Sequence, residues 1–234
     1  MTLAPLEAEE SKAQEQAASS DSKPSTGQVT GTVVYHADAK RPWRYARYYI
    51  KNSKKGQLAK AVVALTPLEK PAKKTPDNRK PETVTMDQKD FQFTPEIVAI
   101  RAGDRVKFLN SDKAVHNVKT FHLLHSFNVN LPPGDEHIET FAKAGNIRLP
   151  YQLGCVYHSA MRAWVFVFDH PNFQVTKSDG RFELKDVPPG EYKLEMVHPA
   201  GQLRWSQEIE VKANETTKIE IPVSPDNLPK KRSS

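Results

Sequence analysis

The sequence predicts an all-β protein built from two β-sandwiches, on three observations. Its apolar residues, 38% of the 234, fall in short runs rich in Val, Ile and Phe that Pro, Gly and Asp interrupt. Few stretches read as helical, and many short strands with few helices pack as sandwiches. Two turn signals, Asp179-Gly180 and Pro188-Pro189-Gly190, mark tight reversals, because glycine accepts the positive φ that hairpin turns demand. The length suits one large domain or two small ones.

Taken in order, residues 1–28 carry no aromatic side chain and are rich in Ala, Ser, Glu and Gln. They cannot bury enough apolar surface to offset chain entropy, so they are expected to be disordered. Their acidic start lacks the basic and apolar regions of a secretory signal. The expectation is a cytoplasmic protein or one whose signal has been removed. Candidate strands follow at 29–35, 61–65, 97–100, 105–110, 126–130, 137–141, 148–153, 163–168, 181–185, 192–198, 206–212 and 217–222. Residues 36–83 hold thirteen Lys and Arg against four Asp and Glu, and within them Arg41-Pro-Trp-Arg-Tyr-Ala-Arg-Tyr-Tyr49 interleaves cations with rings. A solvated basic loop is the first reading of that stretch and a docking face for an acidic protein the second. Nucleic acid is the third and is not expected as a partner. Residues 71–83 are rich in Pro and Lys and read as a linker; residues 224–234 form a short basic tail. No run approaches the ~20 apolar residues of a membrane helix, so no membrane span is expected.

The single Cys excludes an intramolecular disulfide and every zinc or iron–sulfur site that needs several thiolates. It stands in Gly154-Cys-Val-Tyr-His-Ser-Ala-Met161, where Cys155, His158 and Met161 follow a C-x2-H-x2-M spacing. Upstream, two strands joined by Ala102-Gly103-Asp104 lead to His116-Asn117. A thiolate, two imidazoles and a weak thioether are the ligand set of a blue-copper centre. Thiolate suits both Cu(I) and Cu(II), and a geometry between the preferences of the two states reduces rearrangement on electron transfer. Each residue alone is ordinary: a lone Cys is most often a small buried hydrophobe, and a lone Met fills core. The combination with Asn110, His116 and Asn117 carries the weight. His122 and His125, three apart, raise a second metal site, against which a solvent-facing loop is preferred. His36, His137, His170 and His198 read as structural or exposed. Trp164, Phe166 and Phe168 alternate along one strand and read as core on one face. A Cys–His hydrolase is not supported, since no orienting carboxylate or amide with an oxyanion loop accompanies the pair.

On these residues the stretch 84–171 resembles the cupredoxins, the plastocyanin and amicyanin family. The C-x2-H-x2-M loop has amicyanin-like spacing, shorter than plastocyanin's. The resemblance implies a Greek-key sandwich holding one type 1 copper. It implies His116, Cys155 and His158 as equatorial ligands and Met161 as the axial one. Asn117 would tie the two ligand loops together, and His158 would be the exposed ligand through which electrons leave. Two departures stand out: Lys119–Ser126 is longer and more His-rich than the family's segment, and Val156 replaces a hydroxyl residue common after the Cys. Residues 172–223, with their Asp-Gly and Pro-Pro-Gly turns, resemble the carboxypeptidase-regulatory-like (transthyretin-like) sandwich. That family begins with strands like Gly31–Tyr35 and Ala61–Leu65, so the resemblance implies a discontinuous sandwich, 29–70 plus 172–223, with the cupredoxin part inserted at 84–171. Two sequential domains with an irregular N-terminal arm are the alternative. The wider arrangement is similar to plastocyanin-like proteins labelled methylamine-utilisation proteins.

These resemblances imply a protein that is not an enzyme and that carries single electrons between redox partners. The partner would be a redox protein of the cytochrome or dehydrogenase class, with an acidic face to meet the net charge of +6. The location would be the periplasm or another extracytoplasmic space. Copper delivery or storage by the same ligands is one alternative; a structural or docking module with an incidental copper site is the other.

Overall fold

The computed structural model describes residues 25–36, 49–50, 52, 54–69 and 78–225. Most of the N-terminal segment 1–28, nearly all of the Arg/Tyr stretch 41–49, most of the 71–83 linker and most of the 224–234 tail lie outside the described residues.

Within them the chain forms β1 (Gly27–Tyr35), β2 (Val62–Pro67), β3 (Thr83–Lys89), β4 (Gln92–Thr94), β5 (Ile97–Arg101), β6 (Arg105–Asn110), β7 (His116–Thr120) and β8 (Phe127–Leu131). It continues with β9 (Glu136–Thr140), β10 (Tyr151–Gly154), β11 (Arg162–Phe168), β12 (Phe173–Val175), β13 (Arg181–Val187), β14 (Gly190–His198), β15 (Leu203–Val211) and β16 (Thr216–Val223). The protein is all-β. Gly27 and Gln28, expected in the disordered segment, belong to β1, where Gly27 pairs with Val187. Thr83, expected in the linker, begins β3.

Four sheets build two sandwiches. One stacks the orders β5-β11-β10-β7-β8 and β4-β3-β6-β9; the other stacks β13-β1-β16 and β12-β2-β14-β15. Thus β1 and β2 pair with strands more than 100 residues downstream, among them Val29 with Leu184 and Leu65 with Leu194. Strands β3 to β11 pair among themselves.

Each sandwich has its own core. Val29, Val33, Val63, Leu65, Phe182, Leu194 and Ile221 fill one, and Met86, Val98, Phe108, Val118, Leu153 and Val165 fill the other. A third cluster joins them: Val62, Ala64 and Val197 from one side meet Ile97, Ile147, Trp164, Phe166 and Phe168 from the other. Strand β11 therefore has two buried faces. Ala163, Val165 and Val167 point into its own sandwich, while Trp164, Phe166 and Phe168 point into the neighbouring one. Polar links flank this layer, with Lys60 Nζ 2.9 Å and Tyr49 Oη 3.0 Å from the Glu96 carboxylate.

Two loops of the nine-stranded sandwich are anchored by buried polar groups. Asp104 ends the β5–β6 turn, accepting the Glu82 and Arg101 amides and pairing with Arg79 at 2.6 Å. Burial works to raise its pKa, but the Arg79 hydrogen bond and the two amides outweigh it and lower the value. Asn110 Nδ2 donates to the carbonyls of Ala114 and Leu131, and its Oδ1 accepts the Asp112 amide. That arrangement folds residues 110–116 into a fixed loop directly before the first candidate ligand.

Candidate metal centre

Two loops at one end of the nine-stranded sandwich bring the candidate ligands together. His116 opens β7, just after the Asn110-anchored loop. Cys155 and His158 lie in the short connection between β10 and β11, whose Met161 amide donates to the His158 carbonyl at 3.0 Å. The candidate donor atoms of His116, Cys155 and His158 all lie within 4.8 Å of one another. His116 Nδ1 is 3.1 Å from His158 Nδ1, which is 3.7 Å from Cys155 Sγ. His116 is fully buried, Cys155 nearly so, and His158 half-buried. Met161 is buried in the same apolar cluster as Cys155.

Asn117, the residue after His116, is buried and hydrogen-bonded on three sides. Its Oδ1 accepts the Val156 amide at 3.4 Å, across the two ligand loops. Its Nδ2 reaches Asn128 Oδ1 at 2.7 Å and the Val129 carbonyl at 3.1 Å on β8. From below, Gln88 on β3 donates to the Asn117 carbonyl at 3.1 Å.

Asp112 is the residue that the sequence reading missed. Its carboxylate accepts the amides of Asp90 and Phe91 at 2.8 and 2.9 Å and stands 2.7 Å from His116 Nε2. Partial burial would raise its pKa, but the Phe91 amide, His116 and the Asp90 amide prevail and lower it. An ionised carboxylate only accepts, so His116 donates from Nε2, and in the neutral ring that a metal ligand requires Nδ1 then holds the lone pair. That lone pair faces His158 Nδ1 and the thiol. Nitrogen and thiolate ligands held ~2.0–2.3 Å from one ion stand roughly 3–4 Å apart, so the donors fit a single soft cation between them.

Phe91 is the second missed residue. It sits at the β3–β4 hairpin tip with φ of 58°, a region that bulky side chains rarely occupy. Its ring meets His116 edge-on at 5.4 Å and His158 at 4.9 Å between centroids. Phe91, Val115, Val156 and Tyr157 are all substantially exposed, and each touches a candidate ligand or adjoins one in the chain. The only sequence signal for this pair is Asp112 four residues before His116; nothing local links it to a hairpin some twenty residues upstream.

His122 and His125 have different partners in the structure. The His122 ring packs on Tyr151 with centroids 4.0 Å apart, and burial lowers its pKa, with a smaller opposing pull from Leu149. His125 instead reaches Glu139. Of the four histidines read as structural or exposed, His36 is exposed and His198 fully buried.

No protein-family model matches the chain, and no curated protein matches it. Solved structures similar to it include a reduced amicyanin mutant at 21% identity, covering 37% of this chain and 82% of that one with a TM-score of 0.34. A purple cupredoxin from Nitrosopumilus maritimus matches at 21% identity over 36% of this chain and 98% of that one, with a TM-score of 0.31. A copper-containing nitrite reductase from Thermus scotoductus SA-01 matches at 24% identity over 45% of this chain and 26% of that one, with a TM-score of 0.34. No helix among the described residues is long and apolar enough to cross a membrane.

Proposed function

We propose that the protein holds one type 1 copper and passes single electrons, and is not itself an enzyme. The observation that carries this reading is the convergence of His116 Nδ1, Cys155 Sγ and a His158 ring nitrogen. When bound, copper supplies a one-electron couple that the side chains lack. His116, Cys155 and His158 would hold it, with Met161 as the weak fourth donor. The chain's own residues do the rest. Asp112 fixes the His116 proton on Nε2, and Asn117 holds the two ligand loops in register. A site fixed in this way resists rearrangement between oxidation states, as rapid electron exchange requires. Cys155 and His116 lie beneath the surface, whereas the half-buried His158 ring, framed by Phe91 and Tyr157, is the nearest edge to a docked partner.

The partner in this proposal is a redox protein with an acidic face, and the setting is extracytoplasmic. The discontinuous seven-stranded sandwich would be a regulatory-like module that supports the copper-bearing one. Copper-loaded protein should show intense visible absorption from thiolate-to-copper charge transfer that bleaches reversibly on reduction. A colourless cupric form, or no reversible couple, overturns the proposal. Rapid transfer of Cu(I) from the site to a soluble acceptor would favour copper delivery instead. Association with an acidic partner should slow as salt rises, and a rate indifferent to ionic strength would remove the steering.

A further inference from the structure

A cleft of about 870 Å³ opens between the two sandwiches, and none of the candidate copper ligands lines it. One wall, from the nine-stranded body, includes Gln152, Arg162 and Trp164; the other includes Val197, Ala200 and Arg204. The strand registers account for both walls. Ala163 enters the core of its own sandwich, so Arg162 and Trp164 share the outer face of β11. Gln152 on β10 stands opposite Trp164 and points the same way. Across the cleft, Arg204 on β15 stands opposite Val197, a member of the layer that joins the sandwiches. Its neighbours Leu203 and Trp205 turn to the other core.

Charge decides what such a cleft holds. Two ion pairs cross between the sandwiches, Lys60 with Glu96 at 2.9 Å and Arg148 with Glu195 at 3.1 Å. Glu96 and Glu195 are therefore already taken by cations. The guanidinium groups of Arg162 and Arg204 are exposed and make no ion pair or hydrogen bond among the described residues. Two uncompensated cations on facing walls give the cleft a positive field.

We infer that this cleft binds a small organic acid, one carboxylate on a flat apolar body. A guanidinium is a planar fork that matches a carboxylate, and each wall supplies one. Trp164, Val197 and Ala200 offer the apolar surface against which the body of the ligand is shielded from water. The volume lies within the ~300–1,000 Å³ of ligand pockets, which favour junctions between domains. Glu96 lines the cleft as well. Its charge is answered by Lys60 and the Tyr49 hydroxyl, but it would repel a ligand with several negative groups, so a single carboxylate fits best. The site needs no movement of either sandwich. It also stands apart from the copper reading, although Ala160 and Arg162, which flank Met161, bring the cleft to the border of the metal loop.

The test uses the full metal-free chain, with cinnamate as the probe and cinnamyl alcohol as its uncharged counterpart, each titrated by calorimetry. Cinnamate should bind saturably at one equivalent, about tenfold more tightly than the alcohol, because charged hydrogen bonds are lost with the carboxylate. Replacing both cations, Arg162→Gln with Arg204→Gln, should weaken cinnamate by about tenfold and leave the alcohol unchanged. Both positions are exposed, so the urea midpoint of the double variant should match that of the wild type. Absence of saturable cinnamate binding, equal affinity for acid and alcohol, or cinnamate affinity unchanged in the double variant overturns the inference.

Discussion

Asp112 joins groups that lie far apart in sequence: a ring nitrogen of His116 and the two amides of the β3–β4 hairpin tip. It fixes which nitrogen of His116 is free to bind a metal, and it seats Phe91 against both imidazoles. Asp112→Asn should therefore weaken copper retention by about 10–100-fold, the usual effect of removing a partner that orients a ligand. Competition with a copper chelator measures it, and unchanged retention would show that the loop alone positions His116. The candidate ligands themselves are legible in the sequence because three of them fall within seven residues, Cys155 to Met161. Asp112 is not legible, because its partners are set by tertiary folding. His198 yields a separate prediction. Burial, with a smaller push from Lys60, lowers its pKa from 6.5 to about 4. The unfolded chain then binds more protons than the folded one between those values, so stability falls as pH drops from 6.5 toward 4. A shift of this size corresponds to roughly 3 kcal/mol. Denaturant unfolding across that range should show the slope in wild type and lose most of it in His198→Gln.

Strands announce themselves by how many of their faces are buried. The runs at β2 and β11 stand out in the sequence as unbroken apolar segments because both faces meet other layers, with Val62 to Leu65 and Ala163 to Phe168 all buried or nearly so. Strand β3 escapes notice for the opposite reason. Its inward positions are Val84, Met86 and Gln88, and the last is a fully buried amide satisfied in part by the Asn117 carbonyl. A polar residue in a core position breaks the alternation that strand assignment relies on. The short β4 and β12, of three residues each, carry too few positions to show any period. Strand β1 makes a sharper claim about packing. A Cβ on Gly31 would lie 2.7 Å from the Phe182 ring and against the Ile219 backbone. Gly31→Ala should destabilise the protein by about 1–3 kcal/mol, read as a lowered midpoint in urea, while the copper spectrum of the folded fraction stays unchanged.

The two sandwiches are not beads on a string. Trp164, Phe166 and Phe168 leave the nine-stranded sandwich on its outer face and are covered by β2, β12 and β14 of the other. Phe166→Ala should cost ~3–5 kcal/mol and lower the unfolding of both halves together; separate transitions would argue against coupling. A fragment spanning 84–171 alone would bare all three rings, and it should self-associate in size-exclusion chromatography, where the intact chain would not to the same degree. The all-β class was readable from composition and turns. The shared aromatic layer was only half readable: alternation showed that the three rings point one way, but not that they point out of their own sandwich.

That layer has a consequence for the metal loop. Met161 is followed at once by Arg162, the first residue of β11, and the far side of β11 is gripped by the neighbouring body. Prying the halves apart would therefore loosen the floor on which the thioether rests. The distant module, though it offers no ligand of its own, would register in the colour and the voltage of the centre.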